Sequence, residues 1–399
     1  MRILWLKPGG LWPLNTGGRL RSFHTVSELA RRHRVVLLTT HGPQEDPEEL
    51  AARLPNCERV CSLPHRPPKQ GSARLLAALA RSWLSDMPVD VWKWRVPRLR
   101  REAARLVEDG EVDLCVADFL TAVPNVPLEG RVPVVLFEHN VEHVIWKRLA
   151  AAERRPLPKL LLELEWRKMR GFEAAACARA DLTLAVSEKD RAVLAENAPG
   201  AEIRAIPTGV DTSYFTPNGH HESPADLVFT GSMNWYPNED GVLHFVDETL
   251  PLIRREQPAA ALTVVGRDPS PRLRQVVAAS GGRVTGGVDD IRPFVAEGAV
   301  YVVPLRVGGG TRLKIFEALA MGKAVVSTTV GAEGLSLVPG EHLLVADEPA
   351  PFAAAVNSLL RDPARRRALG AAGRKLVEQR YGWPQVAREF ESHLQGLAR

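Results

Sequence analysis

The sequence predicts an α/β protein with two doubly wound parallel-sheet domains, and three observations carry this prediction. The 399 residues exceed the length of one ordinary domain. Short apolar runs alternate with longer segments of helical periodicity, and these runs lack polar alternation, which is typical of strands buried on both faces. The hydrophobic and charged fractions, 45% and 25%, are those of a globular protein and exclude a disordered or fibrous chain.

Ten apolar runs are the predicted strands, five in each half of the chain. They are Arg2–Leu6, Arg34–Thr40, Asp113–Ala117, Pro133–Phe137, Leu182–Val186, Asp226–Thr230, Ala261–Val265, Ala299–Val303, Lys323–Ser327 and Leu343–Val345. The segments between them have helical spacing, as in Arg19–Arg32. Strand–helix–strand repetition requires parallel strands with right-handed crossovers, and ten strands divide evenly between two sheets.

Proline and glycine cluster with polar residues near 200–225, as in a linker. We therefore predict a first domain over 1–204 and a second over 205–383. A terminal helix follows the Gly-Trp-Pro break at 382–384, and we expect segment 384–399 to pack back on the first domain.

Charge and cysteine content limit the function classes. The net charge of +5 suits anionic ligands or surfaces without requiring them. The four cysteines are too few and too scattered for a disulfide framework, and Cys57 and Cys61 lack a second Cys/His pair for zinc. The N-terminus has only four apolar residues in a row before Lys7, too few for the core of a signal peptide, and no run of about 18 apolar residues occurs. We expect a soluble, cytoplasmic protein.

Glycine-bearing loops follow four predicted strands, where ligands of parallel sheets bind. The first contains Gly17 and Gly18 and opens a helix; it either admits a diphosphate to the backbone or merely forms a tight turn. The second contains Gly231, Ser232 and Asn234. The third contains Arg267.

The fourth loop, 307–312, is the most informative. Three glycines expose backbone amides, and Thr311 is a natural N-cap for the helix that follows. Arg312 and Lys314 in the first turn oppose the helix dipole, a conflict that an anionic ligand would offset. Glu317 is the one carboxylate in an apolar stretch; it either bonds ribose hydroxyls or is a solvated helix residue. Gly322 is predicted to end the helix.

At these residues the chain resembles the family-four glycosyltransferases. The matching segments are Ile206–Asp211 with Phe215, Ala185–Ser187, Phe229–Met233 and Gly310–Gly322. The resemblance covers essentially the whole chain and is closest to the branch with Gly-Gly-Gly-Thr-Arg-Leu-Lys, which includes sugar transferases of exopolysaccharide and glycoconjugate pathways.

This resemblance implies the GT-B fold, with two facing Rossmann-like domains, an interdomain cleft and a C-terminal crossover helix. The first domain would hold the acceptor and the second the nucleotide-sugar donor. The implied reaction moves a hexose from a nucleoside-diphosphate sugar to a hydroxyl of a glycan, a lipid-linked or a small-molecule acceptor, with retention of anomeric configuration. The leaving phosphate would accept the acceptor's proton. No Asp-x-Asp motif occurs in the candidate loops, so we expect no metal and no cofactor besides the donor.

Two departures from the family pattern affect the site. A second Glu is usual eight positions before Glu317, where this chain has Gly309. An Arg is usual after the first donor loop, where this chain has Met233 and Asn234. We therefore expect Arg312 and Lys314 to neutralise the diphosphate.

The resemblance leads to these site assignments. The predicted catalytic residues are His139, Asn140, Arg312 and Lys314. The predicted donor-binding residues are Gly17, Gly18, Gly231, Ser232, Asn234, Arg267, Val288, Gly309, Gly310, Thr311 and Glu317. His139 and Asn140 follow a strand and would contact sugar or acceptor, unless they only satisfy the loop backbone. Asp118 is a lesser candidate, and Asp289 and Asp290 lie where family members hold the base.

Residues 66–106 contain ten Lys and Arg residues against three acidic ones, interleaved with Trp83, Trp92 and Trp94. This segment suits an anionic membrane surface or a lipid-linked acceptor, or is an ordinary solvated face with buried tryptophans. No nucleic-acid module is recognised, and we expect no nucleic-acid partner. Two other functions stay open: a GT-B nucleotide-sugar epimerase, and a catalytically silent donor-binding protein.

Overall fold

The computed structural model describes residues 1–14, 16–68, 72–128, 130–217, 222–307 and 313–397, and the chain forms two compact units. The first unit is Met1–Pro207 with Val386–Arg399, and the second is Thr208–Gln385. The sequence predicts 1–204 with 384–399 and 205–383. Each unit contains one parallel sheet flanked by helices, which confirms the predicted α/β class with two parallel-sheet domains.

The first unit is built on a seven-stranded sheet. Its strands are β1 (Arg2–Lys7), β2 (Arg34–His41), β3 (Arg59–Pro64), β4 (Leu114–Asp118), β5 (Val134–Glu138), β6 (Leu182–Ala185) and β7 (Ile203–Ala205). Its helices are α1 (Gly17–Ala30), α2 (Pro47–Arg53), α3 (Ala73–Trp83), α4 (Val89–Trp92), α5 (Pro97–Glu108), α6 (Glu142–Ala152), α7 (Pro156–Arg179) and α8 (Glu188–Asn197), with a 3-10 turn at Leu120–Asn125. The strand order is β3-β2-β1-β4-β5-β6-β7, and all pairs are parallel.

The second unit is built on a six-stranded sheet. Its strands are β8 (Asp226–Thr230), β9 (Ala261–Val265), β10 (Arg283–Val284), β11 (Val300–Val303), β12 (Ala324–Ser327) and β13 (Leu344–Val345). Its helices are α9 (Tyr236–His244), α10 (Leu250–Glu256), α11 (Pro271–Ala279), α12 (Arg292–Glu297), α13 (Leu313–Ala320), α14 (Pro349–Arg361) and α15 (Pro363–Leu376), with π-helical turns at Phe245–Thr249 and Val377–Tyr381. The order is β10-β9-β8-β11-β12-β13, again parallel.

All ten predicted strands are confirmed, with ends shifted by a residue or so. Three further strands were not predicted: β3, β7 and β10. Each lies at the edge of its sheet and is only partly buried, so it carries no continuous apolar run that would show in the sequence.

The last helix, α16 (Trp383–Gln395), packs on the first unit. The Phe390 ring lies 5.4 Å from that of Trp5 and 5.1 Å from that of Phe137, between centroids. Glu391 accepts a hydrogen bond from Arg32 at 2.8 Å. These contacts agree with the crossover helix expected of the terminal segment.

In both sheets the chain winds outward from a central pair of strands, β1 with β4 and β8 with β11. The strand order reverses at each pair, and ligands of such sheets bind beyond the carboxyl ends of the strands at this point. α13, which follows β11, ends as predicted at Gly322, whose φ of +70° favours glycine. Within the described part of the chain, no helix is long and apolar enough to cross a membrane.

Candidate functional site

The loops that follow β8 and β9 lie side by side because their strands pair. The Gly231 amide donates to the Val265 carbonyl at 2.9 Å, and the Met233 amide donates to the Arg267 carbonyl at 2.9 Å. A Cβ atom on Gly266 would lie only 1.7 Å from the Gly231 carbonyl oxygen. The close approach of the two loops therefore requires glycine at position 266.

Polar side chains of these two loops form one hydrogen-bonded group. Arg267 Nε donates to Ser232 Oγ at 3.0 Å, and Ser232 Oγ donates to Asn234 Oδ1 at 2.9 Å. Asn234 Nδ2 in turn donates to Asp268 Oδ2 at 3.2 Å. The structure thus brings together three of the predicted donor-binding residues, Ser232, Asn234 and Arg267, at the carboxyl end of the sheet.

Lys314, in the first turn of α13, lies against the loop after β8. Its Nζ donates to Asn238 Oδ1 at 2.8 Å and lies 4.1 Å from the centroid of the Phe229 ring. A Cβ atom on Gly231 would lie 2.7 Å from this Nζ, so the loop leaves room for the ammonium group. Asn238 also donates to the Ser232 carbonyl at 2.8 Å, which makes it a positioning residue that the sequence analysis missed.

Glu317 lies on the same helix, three residues after Lys314. Burial raises the pKa of Glu317 from its ordinary value of 4.5 to about 7, although Lys314 lowers it. Its carboxylate makes no hydrogen bond or ion pair with any residue that the structure describes. A partly buried carboxylate in this state costs free energy unless a ligand supplies hydrogen-bond donors. The contact of Glu317 to hydroxyl groups of a ligand stays a prediction.

Of the remaining predicted catalytic and donor-binding residues of the second unit, the structure describes only Val288. Gly309, Gly310, Thr311 and Arg312 lie outside the described residues. Val288 is half-buried against the core of the unit.

Asp290, from the same loop as Val288, is held by internal contacts. Its Oδ2 accepts a hydrogen bond from Arg292 Nη2 at 2.7 Å. The Arg292 guanidinium also stacks on the Tyr214 ring at 3.8 Å. The Gly286 carbonyl of this loop accepts from the Gly266 amide at 3.1 Å, so the loop adjoins the one after β9.

In the first unit, charged groups end the neighbouring strands β1, β4 and β5. Asp118 Oδ2 accepts a hydrogen bond from Trp5 Nε1 at 2.8 Å, and Asp118 Oδ1 lies 2.7 Å from His139 Nε2. Arg21 Nη1 lies 3.0 Å from His139 Nδ1. Because a guanidinium can only donate, His139 Nδ1 accepts, and the imidazole proton belongs on Nε2, facing Asp118.

Burial controls the charges of this group. It lowers the pKa of His139 to about 3, although Asp118 raises it, so His139 is neutral at ordinary pH. Burial also lowers the pKa of Lys7 to about 8, again against the effect of Asp118. Burial opposes ionisation of Asp118, but Lys7 and His139 together keep its pKa below the usual value. His139 is almost fully buried, so it would have to give up one of these contacts to reach a substrate.

Phe119 covers this group from the side of α1. Its backbone has φ +75°, which is strained for a residue other than glycine, and its ring stacks on His139 with centroids 3.8 Å apart. Lys7 Nζ lies 3.9 Å from the centroid of the Phe119 ring. A Cβ atom on Gly18 would lie 2.4 Å from Phe119 Cζ, so Gly18 makes room for this ring. Gly17 is exposed at the start of α1.

Asn140 and Glu138 flank His139 and differ in their surroundings. Asn140 is half-buried, and its Nδ2 donates a long hydrogen bond of 3.4 Å to Glu142 Oε1. Glu138 is buried, and neither of its carboxyl oxygens has a hydrogen-bond partner among the described residues. Burial, together with the nearby Glu173 and Glu142, raises the pKa of Glu138 well above its usual value, which favours its neutral form.

In the described ranges of the chain, no group of three or more His, Cys, Asp and Glu side chains could hold a metal ion.

Comparison with known families matches most of the chain. The family model described as "Glycosyltransferase Family 4" matches residues 17–214, and the one described as "Glycosyl transferases group 1" matches residues 224–362. An uncharacterised 44.6 kDa protein in the cps region of Klebsiella pneumoniae is 23% identical over 353 residues, 86% of each chain. A GDP-mannose-dependent alpha-(1-6)-phosphatidylinositol monomannoside mannosyltransferase of Mycobacterium tuberculosis is 29% identical over 221 residues, 50% of this chain and 57% of that protein.

Solved structures share the fold over the full length. Anabaena Alr3699/HepE in complex with UDP aligns over 100% of both chains with a TM-score of 0.68 and 16% identity. The same protein in complex with UDP-glucose aligns over 100% of both chains with a TM-score of 0.64 and 15% identity. A glycosyltransferase from Rickettsia africae ESF-5 aligns over 100% of this chain and 98% of its own, with a TM-score of 0.68 and 13% identity.

Proposed function

This chain belongs to the family-four glycosyltransferases of the GT-B fold, and we propose that it transfers a hexose from a nucleoside-diphosphate sugar to an acceptor hydroxyl with retention of anomeric configuration. The observation that carries the proposal is the carboxylate of Glu317, half-buried and without a partner in the described chain, one helical turn after Lys314. Hydroxyl groups of a ribose are the donors that this carboxylate lacks.

In the proposed complex the donor lies along the loops after β8 and β9. The Ser232 amide and the backbone at Gly231, which carries no side chain, adjoin the diphosphate, and Lys314 neutralises its charge. In the proposed complex, the Arg312 guanidinium and the backbone amides of Gly309, Gly310 and Thr311 also stabilise the diphosphate. Negative charge develops on the leaving diphosphate in the transition state, and fixed cations and amides stabilise it without a metal. The leaving phosphate then accepts the proton of the attacking hydroxyl.

The comparisons favour particular substrates. HepE has been solved with UDP and with UDP-glucose, which supports a UDP-sugar donor. The mycobacterial relatives are named as GDP-mannose-dependent, which supports GDP-mannose as the second candidate. The relative from a cps region supports a glycan or lipid-linked saccharide as acceptor.

A donor-hydrolysis panel in the presence of a chelator tests the proposal. UDP-glucose, GDP-mannose and related donors should slowly release the nucleoside diphosphate, and the chelator should not abolish release. Glu317→Ala and Arg312→Ala should each lower kcat/KM by at least about tenfold, roughly 1.4 kcal/mol. Glu248→Ala, which removes an exposed glutamate of the same unit, is the matched control and should behave as wild type.

Other outcomes of this panel contradict the proposal. Wild-type kinetics in both site variants would remove the site assignment. Isomerisation of the sugar without an acceptor would indicate an epimerase, and donor binding without turnover would indicate a silent donor-binding protein. Once an acceptor is found, the anomeric configuration of the product, read by NMR coupling constants, decides whether the reaction retains configuration.

We further propose peripheral contact of the first unit with an anionic membrane. Of the three tryptophans in 66–106, Trp83 is exposed, whereas Trp92 packs under Arg95 and Trp94 packs against Gly9. Other large apolar side chains are exposed on or next to α3, α6 and α7: Leu76, Leu84, Leu149, Leu157, Leu160 and Leu161. Lys147, Arg148 and Lys159 are cations of α6 and α7, and apolar side chains beside cations suit a membrane interface.

Co-sedimentation tests this contact. The protein should bind vesicles of phosphatidylglycerol and phosphatidylcholine more strongly than vesicles of phosphatidylcholine alone. Leu84→Glu with Leu160→Glu should weaken that binding, and Val338→Glu, at an exposed apolar side chain of the second unit, should not. Equal loss in both variants, or no dependence on anionic lipid, would contradict the proposal.

A further inference from the structure

A cavity of about 670 Å³ lies in the first unit between α5 and α7. Arg100, Ala104 and Val107 line it along one stripe of α5, as their spacing requires. Its floor is apolar and comes from the segment that leads from β4 to β5 and from α7. The floor includes Val123, Val126, Leu128 and Phe172.

The cavity reaches the edge of the sheet at which the strands begin. Arg131 and Arg179 line it, and each stands three residues before a strand, β5 and β6 respectively. Asp118 and His139 lie at or just after the other ends of β4 and β5. The cavity is therefore separate from the candidate site of this unit.

Guanidinium groups dominate the rim of the cavity. Among the described residues, four arginines line it, namely Arg95, Arg100, Arg131 and Arg179, against one carboxylate, Glu108. Within the described part of the chain, Arg95, Arg100 and Arg131 form no ion pair, and Arg95 stacks on the Trp92 ring at 4.4 Å.

Arg105 lies on the same helix but does not line the cavity, and it is surrounded by carboxylates. Arg105 bonds to Glu102 at 2.9 Å, to Asp109 at 2.7 Å and to Glu111 at 2.9 Å. Arg105 is thus neutralised by carboxylates, whereas Arg100, which lines the cavity from the same helix, has no ion-pair partner among the described residues.

The chemistry of the lining selects a ligand class. A guanidinium fork matches a phosphate group with two parallel hydrogen bonds, so several of them around one rim favour a phosphate. A hydrated phosphate gains nothing from the apolar floor, whereas a hydrocarbon chain does. We propose that this cavity binds a phosphate-bearing amphiphile, whose headgroup is held by Arg100 and Arg131 and whose chain lies on Val126 and Phe172.

The surroundings of the cavity favour a lipid as the source of this ligand. Met87 lines the cavity and follows Leu84, which is 90% exposed, by three residues. The exposed Leu84 beyond the end of α3 is thus close in sequence to the cavity wall, with Ser85 and Asp86 between them. Binding here goes beyond sugar transfer and would anchor the first unit to a phosphorylated lipid.

The experiment uses the full chain and dihexanoyl phosphatidic acid below its micelle concentration, with affinity measured by titration calorimetry. Saturable one-to-one binding is expected. Arg100→Ala with Arg131→Ala should weaken it by at least about tenfold. The matched control is Arg98→Ala with Arg101→Ala, which removes the same charge from exposed positions of α5 that do not line the cavity, and it should change the affinity less than about twofold.

Arg100→Lys separates fork geometry from charge. It keeps the charge but removes the guanidinium fork and should weaken binding measurably. Thermal unfolding and donor hydrolysis of all variants should match wild type, because these side chains are exposed and lie outside the donor site.

Four results would overturn the proposal. These are no saturable binding, equal weakening by the control pair, equal affinity for inorganic phosphate or glycerol phosphate, and equal affinity for dihexanoyl phosphatidylcholine. The third result would show that the cavity does not recognise a hydrocarbon chain, and the fourth that it does not recognise an anionic headgroup. Since donor hydrolysis is measured separately, failure of this proposal leaves the proposed transfer untouched.

Discussion

The carboxyl edges of the two sheets are built on the same strand order, yet they handle charge in opposite ways. In the first unit Lys7, Asp118 and His139 are buried, and Asp118 and His139 contact each other. In the second unit Lys314 and Glu317 are only partly buried, and the Glu317 carboxylate has no partner in the described chain. One topology thus forms a buried group of contacting charged side chains in one unit and a partly exposed polar edge that can accept a ligand in the other.

The two edges should respond differently to mutation, one in the free energy of unfolding and the other in donor affinity. Buried charges are stable only while their partners remain, so the first edge should be sensitive in its folding. The second edge carries an unsatisfied carboxylate before any ligand binds, so it should be sensitive in its binding. Substitutions at the two edges should therefore separate into effects on stability and effects on donor affinity.

The largest expected effect is on the folding of the first unit. Asp118→Ala removes the acceptor of the Trp5 indole N–H and the counterion of Lys7, and it leaves the His139 Nε2 proton without a partner. We expect a loss of about 3–5 kcal/mol in the free energy of unfolding, measured by urea denaturation.

The control for Asp118 is an exposed ion pair of the same unit. Glu58→Ala breaks its contact with Arg34 and should cost less than about 1 kcal/mol. Equal losses in the two variants would show that the buried group does not stabilise the first edge as we argue.

The next effect concerns the loops of the second unit. Gly266→Ala would place a methyl carbon 1.7 Å from the Gly231 carbonyl oxygen, far closer than two such atoms can approach. The two loops must therefore separate. We expect a loss of about 1–3 kcal/mol in stability. The Kd for the nucleoside-diphosphate sugar should rise at least about tenfold.

Gly287→Ala is the matched control in the adjoining loop. Its Cβ would lie at an ordinary contact distance of 3.5 Å from Arg267 Cβ, and both stability and affinity should stay near wild type. Unchanged donor affinity in Gly266→Ala would contradict a role for the paired loops in donor binding.

The central strands could be predicted because their side chains are apolar on both faces. Three of the edge strands could not, as β3 shows: its six residues include Arg59, Ser62 and Pro64 and are at most partly buried. In the site, Glu317 could be selected from its apolar neighbours on the helix, a local pattern.

The residues missed by the sequence analysis depend on contacts that are distant along the chain. Lys7 resembles an ordinary strand end until Phe119 and Asp118 surround it. Phe119 has a positive φ that no propensity of phenylalanine indicates. Asn238 is an ordinary helix residue until Lys314, 76 positions later, donates to it. These roles come from the way the strands bring separate loops together, which local sequence does not encode.

The smallest expected effect gives the sharpest test of the contrast between the edges, because it turns on the charge of one carboxylate. Burial raises the pKa of Glu317 from 4.5 to about 7, so between these pH values the folded chain binds a proton that the unfolded chain has released. Stability therefore falls as pH rises from about 4.5 to 7, and the full penalty is present above pH 7. Glu317→Gln removes this titration while keeping the shape of the side chain.

We expect Glu317→Gln to be more stable than wild type at pH 8 by roughly 1 kcal/mol, and to match it at pH 5, as measured by urea denaturation at both pH values. Donor turnover should fall at both pH values, since the amide cannot accept hydrogen bonds from two hydroxyl groups as a carboxylate does. A variant that gains stability at pH 8 while losing turnover would be the mark of a residue kept for ligand binding at a cost to the fold. An equal gain at pH 5 and pH 8 would instead indicate a change in packing, and the carboxylate would then carry no penalty that a donor could relieve.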